Sequence, residues 1–270
     1  LEKTVNKSVN MAKIYYVGDW AVLLGPSFAE SPFQHAPKGL EIFNYGIWLK
    51  NALESNGQNE VTSVASWDFY KLGPGQYEKI LEDYDVIVFS DVEGRLFQLA
   101  PDFFNKEEFG KRILTYPDRI KQTINAVRAG KGLMLLGGWY SFTGEIGKGG
   151  WGRTLLREAL PVRCLDFEDL VESTEGYYPE ITQEGKGYFG NSFDDFPPIL
   201  GYNQTLEVPE GKVLLRIKGT DDPLVAIREL GKGKVLAYTS DPAPHWGLNF
   251  VYWKHYNDFW LKCLSLVHYI

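Results

Sequence analysis

The chain has 270 residues, 44% of them hydrophobic and 23% charged, and a formal net charge of −7. That composition supplies ample apolar surface for a core and excludes a disordered or fibrous chain. An acidic field repels phosphate backbones and anionic headgroups, so neither nucleic acid nor a membrane is expected as a partner. No run of about 18 apolar residues occurs, and the N-terminal stretch lacks the basic, apolar and small-residue order of a signal peptide. A cytoplasmic protein is therefore expected, with one domain over 11–270 and residues 1–10 set aside as a tag remnant or mobile extension.

In chain order, residues 13–17 (KIYYV) form a β-prone run that stops at Gly18-Asp19. After a Pro- and Gly-rich stretch, Ile42, Phe43, Gly46, Leu49 and Leu53 fall at helical spacing and predict a helix over 40–55, stopped by Asn56-Gly57. Strands are expected at 61–65 and at 85–90, the latter almost wholly apolar. Pro117 suits the first turn of a helix running to Ala129, with Gly130 as its left-handed terminus before a strand at 132–136. A short helix is expected at 153–159, ended by Pro161. Residues 167–203 are polar, aromatic and rich in Gly and Pro, and are read as a long excursion without regular elements. Strands at 213–217, 224–228 and 234–239 follow, the last two joined by a hairpin turn at Gly231-Lys232-Gly233-Lys234, and a final helix covers 250–268. Continuous apolar strands separated by helices indicate a mostly parallel sheet covered on both faces.

Ligands of open α/β sheets bind beyond the carboxyl ends of the strands, so the residues that leave each strand make up the candidate site. They are Asp19 and Trp20 after the first strand, Asp91 and Glu93 after the third, Gly137, Gly138, Trp139, Tyr140 and Ser141 after the fourth, and Asp241 and His245 after the last. The carboxylates suggest a rim for hydroxyl-rich or cationic ligands. His245, four residues beyond Asp241, is the candidate acid–base group, and it is equally placed to fix its own loop by hydrogen bonds. His35, His245, His255 and His268 are scattered, and Cys164 and Cys263 are too few and too far apart for a disulfide framework or a thiolate site, so no metal is expected. No Ser/Thr-rich phosphate loop follows Val17, so no flavin is expected either. The glycine-rich stretch 144–150 lacks a P-loop ending and is read as a flexible lid. The loop aromatics, Trp20, Trp67, Trp139, Tyr140, Trp151, Tyr177, Tyr178 and Trp246, suit sugar faces or ordinary packing.

Six strings resemble the glutamine amidotransferase-like family over about residues 13–265 and in the same order. They are Tyr84-Asp85 through Ser90-Asp91, Arg128-Ala129-Gly130-Lys131-Gly132-Leu133, Gly137-Gly138-Trp139-Tyr140-Ser141-Phe142, Leu160-Pro161-Val162, Leu200-Gly201-Tyr202-Asn203, and Ser240 to Trp246. The resemblance implies a flavodoxin-like three-layer α/β/α sandwich with a mostly parallel sheet, as in class I glutamine amidotransferases. Those enzymes carry a cysteine on the sharp turn after a central strand and a histidine in a late loop. The matching turn here is Leu136-Gly137-Gly138-Trp139-Tyr140, which puts Trp139, or with a one-residue shift Tyr140, at the nucleophile position. Neither forms a thioester. The loop of His245 also departs from the family pattern, because Gly247 stands where the partner glutamate belongs. Ser141 as a substitute nucleophile is a minor reading, since Trp139 occupies the place of the elbow glycine. The sequence thus points to a pseudoenzyme that binds a small polar, carbohydrate-related ligand or serves as a homo-oligomeric module; the alternative is a hydrolase using His245 with a nearby carboxylate.

Overall fold

The computed structural model describes residues 11–24, 27–31, 34–37, 40–190, 192–193 and 195–268; residues 1–10 and the side chain of His35 lie outside that description. The apolar runs become the strands of one central sheet: β1 (Lys13–Gly18), β2 (Glu60–Val64), β3 (Val86–Ser90), β4 (Gly132–Leu136), β5 (Pro179–Ile181), β6 (Lys212–Ile217), β7 (Pro223–Leu230) and β8 (Gly233–Tyr238). Their order is β5-β6-β7-β8-β4-β3-β1-β2. The pairings β8–β4, β4–β3, β3–β1 and β1–β2 are parallel, while β5–β6, β6–β7 and β7–β8 are antiparallel. The hairpin expected near Gly231 is present: Leu230 pairs with Gly233, and Gly231 takes a φ of +64° that glycine adopts without strain.

Successive strand residues point to opposite faces, and both faces are covered. Ile14, Tyr16, Val86, Val88, Met134 and Leu136 pack with helices α1 (Ile47–Glu54) and α4 (Tyr256–Val267). Tyr15, Val17, Ile87, Phe89, Leu133 and Leu135 pack on the other side with α2 (Gln76–Asp83) and α3 (Arg119–Ala129). The result is three layers, and burial on both faces explains why these strands read as unbroken apolar runs. One buried cation supports the second face. Arg119 donates to the carbonyls of Phe69, Tyr70, Leu72 and Leu96 at 2.6–3.2 Å, closing the end of a loop whose carbonyls would otherwise lack partners, among the described residues, at Tyr70, Leu72 and Leu96.

Several boundaries differ from expectation for identifiable reasons. The helix expected over 40–55 begins only at Ile47, because Leu40–Asn44 pairs as a strand with Trp20–Leu24; its apolar residues serve a two-stranded ribbon rather than a helix face. Pro117 precedes the helix instead of entering it, and the Asp118 carboxylate caps α3 by accepting from the Lys121 amide at 3.0 Å. Residues 167–203 are more regular than their composition suggests: they hold the strand Leu170–Tyr177, β5, a short helix Lys186–Phe189 and the strand Ile199–Asn203. The stretch expected as one helix over 250–268 is a 3-10 turn, Phe250–Tyr252, followed by α4. The short helix expected at 153–159 is two 3-10 turns, Trp151–Arg153 and Leu155–Glu158.

Candidate functional site

The parallel strands β1, β3, β4 and β8 end on the same edge of the sheet, and each delivers part of one crevice. β1 and β3 finish in Gly18-Asp19 and Ser90-Asp91, and both aspartates take left-handed backbone conformations, with φ of +54° and +51°. Such conformations cost non-glycine residues about 1 kcal/mol or more and gather at functional sites. Gly18 permits the pair to form: a β-carbon there would lie 1.7 Å from the Ser90 carbonyl oxygen. At the end of β4, Gly138 has a φ of +142°, and a β-carbon on it would stand 2.6 Å from Asp91 Oδ1. The chain can therefore turn under the Asp91 carboxylate only with glycine at this position.

Asp19, Asp91 and Asp241 form an interacting group of carboxylates. Burial is the main influence on each and disfavours the charged form. It pushes Asp19 up to about 6, against the hydrogen bond that Tyr16 offers to its charged form. Asp91 is raised to about 7 by burial and by the charge on Asp19, and the Tyr140 amide, which donates to Oδ1 at 2.6 Å, opposes the rise. Asp241 is raised well above the ordinary carboxylate range by burial and by the charges of Asp19 and Asp91. At neutral pH the group thus offers both protonated and ionised oxygens, which can donate as well as accept. Tyr16 reaches Asp19 through its hydroxyl and passes so close to Gly46 that a β-carbon there would be 2.7 Å from the Tyr16 oxygen.

Above the carboxylates lies an aromatic roof. The indole of Trp139 stacks on the His245 ring with centroids 4.8 Å apart and planes 7° from parallel, and Tyr45 flanks His245 at 5.5 Å. Glu172 Oε1 accepts from Trp139 Nε1 at 3.1 Å and from Trp246 Nε1 at 2.7 Å, tying the two indoles together. Asp241 does not orient the imidazole. Its oxygens accept from the backbone amides of Ala243 and His245, both at 3.0 Å, so its hydrogen bonds shape the loop.

The donors at the β4 turn are already engaged. The Gly138 amide donates to Asn203 Oδ1 at 3.0 Å, and the Tyr140 amide is held by Asp91. Asn203 in turn donates to buried Asp169, whose carboxylate also takes the amides of Thr143 and Gly144 at 2.9 Å. Ser141 is fully buried, donates to the Leu136 carbonyl at 2.6 Å and accepts from the Asp91 amide at 3.1 Å. That hydroxyl is a structural strut. Residues 144–150, read from sequence as a flexible lid, are bonded on both sides: Glu145 donates to the Trp139 carbonyl at 2.7 Å, and Gly94 donates to the Gly149 carbonyl at 2.8 Å.

The structure therefore gathers Asp19, Asp91, Gly137, Gly138, Trp139, Tyr140, Asp241 and His245 at one strand-end crevice. Trp20 turns aside to donate to Ser63 at 3.1 Å, and the Glu93 carboxylate makes no hydrogen bond or ion pair among the described residues. Sequence reasoning missed Tyr16, Tyr45, Glu172 and Asn203. Tyr16 was hidden inside an apolar strand and Glu172 inside a stretch that reads as irregular; the string Gly201-Tyr202-Asn203 was visible, but not its reach to Gly138. Cys164 lies away from the β4 turn, packed beside Gly152, and burial pushes its thiol up to about 12. Cys263 is buried in α4. Among the described residues no group of three or more His, Cys, Asp or Glu side chains is disposed to hold a metal ion, and no helix is long and apolar enough to cross a membrane.

A mixed α/β sheet with its polar crevice at the carboxyl ends of the parallel strands defines the general class. Residues 36–269 match the family described as "Putative glutamine amidotransferase", and the chain belongs to this GATase1-like family. Two of the solved structures similar to it come from one bacterial species. One is a cytoplasmic protein from Salmonella typhimurium, 28% identical, with a TM-score of 0.81 over 94% of this chain and 98% of that one. The other is a cytoplasmic protein from Salmonella typhimurium LT2, 29% identical, with a TM-score of 0.80 over 94% of this chain and 99% of that one. A search of curated proteins found no match.

Proposed function

We propose that this protein is a cytoplasmic, amidotransferase-like binding protein without glutaminase chemistry, built on the class I three-layer sandwich, and that its crevice takes a small hydroxyl-rich ligand. The observation that carries the reading is the β4 turn. The resemblance sets Trp139, or with a one-residue shift Tyr140, where the family's mechanism needs a thiolate, and the amides of Gly138 and Tyr140 are bonded to Asn203 and Asp91. An oxyanion hole works only when its donors are free to meet developing charge.

Ligand class follows from the two walls. Carboxyl groups that hold protons near neutrality can both donate to and accept from hydroxyls, whereas three ionised ones would select a cation. The faces of Trp139, Tyr45 and His245 suit the C–H face of a ring or polyol. The test is a titration of tryptophan fluorescence and of heat with neutral sugars and polyols. Saturable binding that is lost in Trp139→Ala and in Asp91→Asn is expected. Binding confined to ammonium compounds, or neutral binding untouched by both substitutions, would contradict the reading.

A further inference from the structure

A second cavity, of about 380 Å³, begins at Gly150 and is lined by Arg153, Arg157, Arg163 and Arg228 against only two carboxylates, Asp166 and Glu210. Four guanidiniums around one hollow are unexpected on a chain whose net charge is −7. They come from separate elements: Arg153 and Arg157 from the two 3-10 turns, Arg163 from the strand Val162–Cys164, and Arg228 from β7. Their convergence is a product of the fold, not of a basic stretch of sequence. Gly152 makes the approach possible, because a β-carbon there would be 2.9 Å from Cys164 Cβ and would push away the turn that carries Arg153. Arg228 is steadied by donating to the Leu160 carbonyl at 3.3 Å. Arg153, Arg157 and Arg163 form no salt bridge among the described residues.

We infer that this cavity binds a small phosphate monoester. Guanidinium forks match phosphate oxygens two at a time, and the apolar side chains of Leu160, Val162 and Val208 give the ester's organic part a wall to rest on. The volume lies at the small end of ligand pockets. Polyanions are disfavoured, because the surrounding acidic field acts on every further phosphate. This site is separate from the aspartate crevice and does not depend on what that crevice binds.

The test is calorimetric titration of the full chain with inorganic phosphate and with methyl phosphate at fixed ionic strength, with chloride as the control anion. Saturable binding of both phosphates and none of chloride is expected. The double variant Arg157→Gln/Arg163→Gln should bind at least about tenfold more weakly. Both side chains are exposed, so its melting temperature without ligand should stay close to that of the parent. The charge-conserving pair Arg157→Lys/Arg163→Lys should also bind more weakly, since lysine lacks the fork. Absence of phosphate binding by the parent, or affinity undiminished in the glutamine pair, would overturn the site; undiminished affinity in the lysine pair would overturn recognition by guanidinium geometry.

Discussion

Replacing Asp91 by asparagine should make the protein more stable at pH 8 and flatten its stability between pH 5 and 8. In the folded chain Asp91 holds its proton up to about 7, whereas the unfolded chain releases it near the ordinary carboxylate value of 3.8. Between those values the folded state binds more protons than the unfolded one, so stability falls as pH rises and levels off above the folded value. At about 1.4 kcal/mol per pH unit, the full difference gives a ceiling of about 4 kcal/mol, and solvent reaching this half-buried carboxylate reduces it to about 2 kcal/mol. Asparagine keeps an oxygen for the Tyr140 amide and removes the charge that acts on Asp241. The assay is urea unfolding at pH 5 and pH 8 for parent and variant. The parent should be the less stable at pH 8, and the variant should recover about 2 kcal/mol there with little change at pH 5. A variant equally destabilised at both pH values, with the parent's pH slope intact, would refute the carboxylate coupling.

Other outcomes follow from single contacts. Gly138→Ala should lower stability by about 2 kcal/mol or more by thermal unfolding, since the side chain would meet both a positive φ and the Asp91 carboxylate. Arg119→Ala should cost about 3 kcal/mol or more in urea, because it strands the carbonyls of Tyr70, Leu72 and Leu96 that the guanidinium satisfies. Cys164 should react slowly with a thiol reagent at pH 7.5 and accelerate on unfolding, since burial pushes its thiol up to about 12; rapid reaction of the folded protein would contradict that environment.

The sheet was legible in the sequence wherever burial on both faces leaves an unbroken apolar run, as in Val86–Ser90 and Gly132–Leu136. The Leu40–Asn44 strand was not, because its apolar spacing also fits a helix and only its pairing with Trp20–Leu24 decides the matter. For the site, position after a strand identified Asp19, Asp91, Trp139 and His245, because parallel strands bring their carboxyl ends to one edge. The same rule does not say which way a side chain turns. It included Trp20, whose indole goes to Ser63, and gave no sign that Asp241 would bond to its own loop. Tyr45, Glu172 and Asn203 join the crevice through tertiary contacts between segments far apart in sequence.

The most direct test of the central claim is incubation of the intact protein with glutamine and with a glutamine-analogue affinity label, followed by ammonia measurement and intact-protein mass spectrometry. No glutamine-dependent ammonia and no covalent adduct are predicted. Steady ammonia release with one label per chain on Cys164, both abolished by Cys164→Ser, would contradict it.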